Sequence, residues 1–236
     1  MREQSVSVRI CSEVEELRGL VPGASFTILP LGDGPFHAEV VSCELGDISL
    51  RIGHSTAFLA SGSIAPDRVQ LLLPFTGQGR IIFHDRRFER HDVAVAPSGC
   101  LLDGASHGEA EWAVVMMPAG TARRLIFPRR RSWALCAGQH CLLRPDPAAW
   151  TGAASLLRSV REVFLGDPAI FDAPEPRRAL RDSLLQAMRE LLAGPLVAIP
   201  AGGVLRGGGR RRCDIDRSGT CIAAHLRPSF PLGSAE

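Results

Sequence analysis

The chain has 236 residues, enough for one sizeable domain with an appendage or for two small domains. A hydrophobic fraction of 45% and a charged fraction of 22% are those of an ordinary globular protein, which excludes a largely disordered chain. All 27 basic residues are arginines and nearly balance 25 acidic residues, so the net charge of +2 gives the chain as a whole no electrostatic reason to bind nucleic acid.

The first 20 residues carry charges throughout, which leaves no apolar stretch for a signal peptide. No segment approaches the roughly 20 apolar residues of a membrane-spanning helix. We therefore expect a cytoplasmic protein with no membrane role. The seven cysteines are an odd number without a CxxC pair, which predicts free, mostly buried thiols in a reducing compartment.

Residues 26–118 contain short apolar runs separated by turn residues, a pattern that is typical of a β-sandwich or barrel. Val69–Phe75 and Arg80–His84 flank the turn sequence Thr76–Gly79, which predicts a hairpin between them. The segment His91–Val95 predicts a strand with alternating faces. The continuous apolar run Trp112–Met117 predicts a strand that is buried on both faces.

After Trp150 the apolar period changes to the three-and-four spacing of helices. One amphipathic helix is predicted up to Gly166, and a second one from about Pro176 to Ala193. The second helix carries its apolar residues on a single stripe: Leu180, Leu184, Met188 and Leu191. The stripe has two interpretations, packing on the chain's own barrel or pairing with a second subunit, and the sequence leaves both open.

Beyond Pro200 the composition shifts to glycines and arginines, which is typical of a linker. The arginine run in this segment is a candidate for contacts with DNA phosphates: Arg210, Arg211 and Arg212. Residues 213–236 hold only one short apolar cluster and are too few for a core of their own.

The order of barrel, two helices and arginine-rich linker resembles the AraC/XylS family of bacterial transcription regulators. Ser61–Val69 is similar to a segment that enters a central barrel strand in that family, and Ile222–Leu232 is similar to the start of its DNA-binding domain. The resemblance implies a mainly β N-terminal part with a cupin-like barrel of jelly-roll type, then two amphipathic helices, α+β overall. It also implies a small-molecule effector, a homodimer and a DNA-binding domain with two helix-turn-helix units.

The resulting organisation is a sensor domain at residues 1–148, a helical dimerisation region at 149–195, and a linker with an incomplete helix-turn-helix remnant at 196–236. The 36 residues from 201 to 236 (236 − 200) are too few for two helix-turn-helix units. We therefore expect a truncated regulator whose DNA binding is weak, non-specific or lost.

Polar residues inside predicted strands are the candidate ligand contacts. Arg51 lies between Leu50 and Ile52, and Gln70 lies between Val69 and Leu71. Trp112 is the third candidate. The alternative is that each of these side chains faces solvent or satisfies a local partner.

No active site is expected, and neither is a cofactor. A metal-binding cupin enzyme needs a His-x-His pair with a nearby carboxylate, and the seven histidines contain no such pair. His84 and His91 flank a predicted hairpin turn at residues 85–87 with Glu89 nearby, and we interpret them as hairpin histidines in preference to metal ligands. Two alternative functions stay open: a stand-alone cupin-like enzyme, and a dimerisation partner that modulates full-length regulators.

Overall fold

The structure, a computed structural model, describes residues 6–17, 19–21, 23–76, 81–84, 86–126, 140–194 and 196–198. These ranges all lie within residues 1–205, which form one structural unit.

The described ranges contain β-strands for most of their length and helices mainly towards the end. The strands are β1 (Val6–Cys11), β2 (Ala24–Pro30), β3 (Ala38–Leu45), β4 (Ile48–Ser55), β5 (Phe58–Ile64), β6 (Arg68–Pro74), β7 (Ile81–Phe83), β8 (Arg86–Arg87), β9 (Val93–Ala96), β10 (Leu101–Ser106), β11 (Ala110–Pro118), β12 (Cys141–Leu143) and β13 (Leu196–Ala198). The helices are α1 (Ala119–Ile126), α2 (Pro147–Gly166) and α3 (Pro174–Leu191), with 3-10 turns at Val14–Leu17 and Pro168–Asp172.

The strands form two antiparallel sheets. The large sheet has eight strands in the order β1-β3-β4-β11-β6-β9-β12-β13, and the small sheet has five in the order β2-β5-β10-β7-β8. Consecutive strands repeatedly lie in different sheets, which is typical of a jelly roll. The predicted fold class is thus confirmed: a mainly β, cupin-like double sheet followed by amphipathic helices. The short helix α1, between β11 and β12, was not predicted.

The large sheet is buried on both faces, because one face packs against the small sheet and the other packs against the helices. Strand β11 shows the alternation: Trp112, Val114 and Met116 lie in the core between the sheets, whereas Val115 and Met117 lie in the core under the helices. This explains why residues 112–117 are continuously apolar. We call the side that packs against the small sheet the inner face of the large sheet, and the side that packs against the helices its helical face.

The predicted hairpin between residues 69–75 and 80–84 is wrong. Strand β6 lies in the large sheet and pairs with β11 on one edge and with β9 on the other. Strand β7 lies in the small sheet, between β10 and β8. Both edges of β6 are therefore already occupied, and the turn sequence after it precedes a change of sheet.

Helix α2 begins where its sequence provides a cap. The Asp146 side chain accepts a hydrogen bond of 2.8 Å from the Ala148 amide, and Pro147 occupies the first helical position. The apolar side of the helix, including Trp150, Leu157 and Phe164, then packs on the helical face.

Helix α3 buries the predicted apolar stripe. Leu184, Met188 and Leu191 are each 0% exposed and Leu180 is 6% exposed, and all four belong to the core under the helices. The chain's own sheet therefore accounts for this stripe without a partner. Its role in dimerisation stays a prediction.

Asp47, in the turn between β3 and β4, ties three elements together. Its side chain accepts hydrogen bonds from Arg181 of α3 at 3.0 Å and from Thr121 of α1 at 3.3 Å, and its backbone carbonyl accepts one from Arg68 of β6 at 2.7 Å. Burial alone raises the pKa of the Asp47 carboxyl, but the hydrogen bond and charge of Arg181 outweigh it and hold the pKa below its ordinary value. The helices are thus fixed to the sheet by charge as well as by apolar packing.

After α3 the chain returns to the large sheet, because β13 pairs with β12. A Cβ atom at Gly194 would lie 2.5 Å from the Pro145 Cα atom, so only glycine permits this close approach. Residues 196–198, which the sequence placed at the start of the linker, therefore belong to the sheet. Among the described residues, no helix is long and apolar enough to cross a membrane.

Candidate functional site

The inner face of the large sheet carries buried polar side chains. On β4, Leu50 and Ile52 point to the helical face, so the alternation of a strand turns Ser49, Arg51 and Gly53 to the inner face. Arg51 is only 5% exposed, which is rare for a charged residue and demands compensating contacts.

Four acceptors surround the Arg51 guanidinium. Its Nε donates to the Leu20 carbonyl, and its Nη1 donates to the carbonyls of Leu50 at 2.9 Å and Cys43 at 3.4 Å. Its Nη2 donates to the Glu44 carboxylate, which is half exposed. A guanidinium has five N–H groups. One N–H on Nη2 is thus left without an acceptor among the residues that the structure describes.

The hairpin between β3 and β4 fixes which residues surround Arg51. Its two-residue loop is Gly46-Asp47, and Gly46 has the positive φ of +75° that glycine supplies at the first central position of such a turn. The resulting register places Ser42 opposite Arg51, and the pairing of β1 with β3 places Ser7 opposite Ser42. A row of polar residues therefore crosses the first three strands of the inner face.

A cavity of about 120 Å³ lies beside this row. It is lined by Ser7, Arg9, Gly19, Leu20, Ser42, Glu44 and Arg51. At about 30 Å³ per water, the volume corresponds to roughly four water molecules. Leu20 contributes the only large apolar side chain to the lining, and two guanidinium groups face one carboxylate, so the cavity is polar and carries a formal charge of +1.

Two buried polar atoms on the inner face have no hydrogen-bond partner within the described ranges. They are the Ser42 hydroxyl oxygen, which lines the cavity, and the Gln70 side-chain oxygen, which does not. A buried polar group without a partner costs about 1–3 kcal/mol, so each marks a place where a water or a ligand would be stabilised. Only Ser42 combines such an atom with a neighbouring buried charge.

Trp112 is held by its own neighbours. It lies opposite Gly53 on the adjacent strand, where a Cβ atom would come within 2.5 Å of the indole ring. Its indole N–H donates to the Ser55 hydroxyl at 3.1 Å. The polar group of Trp112 is thus satisfied within the sheet, and its ring fills the space that glycine leaves.

Arg51, Gln70 and Trp112 were the predicted ligand contacts, and all three lie on the inner face of the same sheet. Only Arg51 lines the cavity. Sequence reasoning missed its other lining residues, of which Ser42 and Glu44 carried a signal. These two alternate with the apolar residues of β3 ahead of a Gly-Asp turn, and this places them on the same face as Arg51.

His84 and His91 do not converge on a metal. The His84 ring stacks on His140 with 3.8 Å between ring centroids, and the His91 ring lies 4.8 Å from the Trp150 ring. Within the described part of the chain, no group of three or more His, Cys, Asp and Glu residues is placed to hold a metal ion.

Three of the four described cysteines have a raised pKa and are therefore not activated as nucleophiles. Cys11, Cys43, Cys100 and Cys141 are free and buried. Burial, assisted by the nearby Glu44 carboxylate, raises the pKa of the Cys43 thiol to about 12. Burial also raises the pKa of Cys11 and of Cys100. The thiolate is the reactive form, and these three thiols are protonated at neutral pH.

The phosphate-contact candidates Arg210, Arg211 and Arg212 lie outside the described residues. DNA contact by them therefore stays a prediction.

No family model matches this sequence, and no curated protein matches it. Among solved structures, the chain is similar to the AraC-like transcriptional activator CuxR, with 16% sequence identity, a TM-score of 0.55, and coverage of 83% of this chain and 72% of that chain. A cupin-2 domain, Rru_A2000 from Rhodospirillum rubrum, is matched over 50% of this chain and 90% of that chain, with 9% identity and a TM-score of 0.26. At these identities the likeness concerns the fold.

Proposed function

We propose that this chain is the effector-sensing part of an AraC-type transcription regulator, and that the cavity beside Arg51 binds the effector. The observation that carries the proposal is a buried guanidinium facing a polar cavity next to a Ser42 hydroxyl that has no described partner. Buried charges are costly unless they are compensated, so their retention in a cavity favours a binding role over a purely structural one. The similarity in fold to an AraC-like activator supports the same assignment.

The proposal includes a cytoplasmic homodimer with no enzymatic activity. Leu180, Leu184, Met188 and Leu191 pack in the chain's own core, so their contribution to a dimer would be indirect, through the position of α3. For this 236-residue chain we further propose only weak, non-specific DNA binding, through Arg210, Arg211 and Arg212.

The test of sensing is a thermal-shift screen of sugars, amino acids and organic acids on the wild-type chain. We expect at least one class of compound to raise the midpoint of unfolding, because a ligand that binds only the folded state stabilises it by mass action. The shift should disappear in Arg51→Met and persist in Arg87→Met, which makes the same change at an exposed position of β8.

Two outcomes would count against the proposal. Equal stabilisation of wild type and Arg51→Met would place the ligand elsewhere in the chain. Absence of any stabilising compound would remove the support for sensing itself.

A further inference from the structure

We infer that the cavity beside Arg51 selects a compact monocarboxylate, an inference that rests on the proposed sensing function and names the chemical class of its ligand. The hydrogen-bond donors, the charge and the size of the cavity each favour this class of ligand.

The lining of the cavity carries hydrogen-bond donors that have no described acceptor. Arg51 has one N–H without a described acceptor, the Ser42 hydroxyl has no partner among the described residues, and both residues line the cavity. Arg9, which is exposed, lines it as well and adds a second guanidinium. A carboxylate has two oxygens that accept without donating, and guanidinium groups match this geometry better than other side chains do.

The lining of the cavity also carries a net positive charge. Arg9 and Arg51 contribute two positive charges to the lining and Glu44 contributes one negative charge. A monoanion makes the occupied cavity neutral, whereas a neutral polyol leaves one positive charge and a phosphate dianion leaves one negative charge. Because uncompensated charge in a partly buried site is unfavourable, the lining favours the monoanion.

The volume of the cavity is small. A volume of about 120 Å³ is well below the roughly 300–1,000 Å³ of sites that hold drug-sized ligands. It corresponds to a molecule with about as many heavy atoms as the four waters that would otherwise fill it. A short-chain acid fits within this volume, whereas an aromatic acid would extend beyond it.

Glu44 gives the inference its sharpest test, because its carboxylate already occupies one Nη2 donor of Arg51. A ligand carboxylate is repelled by Glu44 and competes with it for the guanidinium. Removal of the Glu44 charge therefore strengthens ligand binding, although the substitution breaks an ion pair of the free protein. If Glu44 instead served to position Arg51 for a neutral ligand, removal of its charge would weaken ligand binding.

The experiment is a calorimetric titration of the full chain with sodium acetate, with acetamide as the neutral molecule of the same shape, at constant ionic strength. We expect acetate to bind at least tenfold more tightly than acetamide. Glu44→Gln should tighten acetate binding about tenfold. The matched control is Glu39→Gln, the same change on the same strand but at the ion pair with Arg161 of α2, and it should leave the affinity unchanged.

A second pair of variants tests the hydroxyl. Ser42→Ala removes the unpartnered oxygen and should weaken acetate binding about five- to tenfold. Ser49→Ala removes a hydroxyl from an equally buried residue of the inner face that does not line the cavity, and should have no effect. Both changes are small enough to preserve the fold, which a melting curve verifies.

The outcomes separate this inference from the proposed function. Arg51-dependent binding of a neutral sugar with no binding of acetate would refute the carboxylate and leave sensing intact. Tighter binding of inorganic phosphate than of acetate, or weaker acetate binding by Glu44→Gln, would refute the monocarboxylate too. No Arg51-dependent ligand of any class would overturn both proposals.

Discussion

Both faces of strand β4 are hidden from solvent, but they differ in chemistry. On β4, the helical face presents Ile48, Leu50 and Ile52, whereas the inner face presents Ser49 and Arg51, and all five are 5% exposed or less. The polar members of the inner face also include Ser42, Ser55 and Gln70. Burial of apolar side chains stabilises a fold, while burial of a polar group costs free energy unless a hydrogen bond compensates it. On this strand the helical face contributes apolar packing, whereas the inner face, which carries apolar residues on β11, retains polar groups beside the cavity.

The largest effect should follow from a charge placed on the helical face. Leu184→Asp puts a carboxylate at a position that is 0% exposed, and we expect a loss of at least about 4 kcal/mol in the free energy of unfolding. Urea unfolding and sedimentation velocity measure the result. Ser183→Asp, at the exposed neighbouring position, serves as the control. Unchanged stability and sedimentation for Leu184→Asp would show that α3 does not pack as described.

A direct comparison of neighbours on β4 sharpens the contrast between the faces. Leu50→Ala should cost about 3 kcal/mol of stability and leave ligand response intact, because it creates a cavity under the helices. Arg51→Met should cost only about 1–2 kcal/mol, since the chain volume is largely kept while carbonyl partners are lost, and it should abolish the ligand response. The division between the faces would fail if Leu50→Ala, rather than Arg51→Met, removed the response in folded protein.

The space between the sheets also holds a histidine that should make stability depend on pH. Burial, together with the neighbouring His84 ring, lowers the pKa of His140 to about 4, against opposing contributions from the Leu101 backbone and Asp103. The unfolded chain, with a histidine pKa near 6.5, binds the proton first, so stability is complete above about pH 6.5 and falls as the pH drops towards 4.

His140→Phe keeps an aromatic ring beside His84 and Phe83 and removes this proton. Between pH 7.5 and 5, the wild type should lose about 2–4 °C more in melting temperature than the variant, which corresponds to about 1 kcal/mol after allowance for partial exposure. Carboxylates titrate in both proteins and cancel in the comparison. Parallel pH profiles would contradict the low pKa.

A smaller effect is expected at Asp47, which holds the helices to the sheet from the helical side. Asp47→Asn should cost about 0.5–1 kcal/mol at pH 7, because the ion pair with Arg181 is partly exposed. The folded-state pKa is lowered, so this contribution is present above about pH 4 and is lost as the pH falls through the lower folded value. Asp33→Asn, in an exposed loop, should change nothing. A cost for Asp47→Asn that persisted at pH 2 would point to packing instead of charge.

The smallest effect concerns DNA and neither face of the sheet. Arginine contacts with phosphate oxygens neutralise charge without discriminating bases. Titration of the chain against its own promoter and against scrambled DNA should therefore give equal, weak affinities that fall steeply with salt. Replacement of Arg210, Arg211 and Arg212 with glutamine should remove the residual binding. A preference for the promoter that survives physiological salt would show specific recognition.

The spacing of apolar residues along the sequence correctly predicted the buried faces of several strands and of α3. The alternation of Val93 and Val95, the uninterrupted run after Trp112 and the stripe on α3 each predicted the observed burial. The hairpin from β6 to β7 failed because strand pairing is a non-local property, and a turn sequence does not reveal that both edges of β6 are occupied by β11 and β9.

The residues of the candidate site likewise divide into those that local sequence predicted and those that only folding brings together. Arg51 was predictable as a polar residue between two apolar ones on a strand. Its contact with Glu44 was accessible too, since a two-residue Gly-Asp loop fixes the register of the β3–β4 hairpin. The Leu20 carbonyl and the β1 residues that complete the cavity were not accessible, because they come from segments that meet β3 and β4 only in the folded chain.

The strand order places the cavity far from β13, the last described strand. The cavity lies at the edge formed by β1, β3 and β4, whereas β13, the last strand that the structure describes, forms the other edge of the eight-stranded sheet. Seven inter-strand spacings of about 4.8 Å separate the two edges, or roughly 34 Å along the sheet. The helices provide a second connection, because Asp47 in the β3–β4 turn accepts a hydrogen bond from Arg181 of α3, the last helix before β13. Because interiors are tightly packed, the position of α3, held to the β3–β4 turn by Asp47, becomes a determinant of how strongly occupancy of the cavity is communicated to β13.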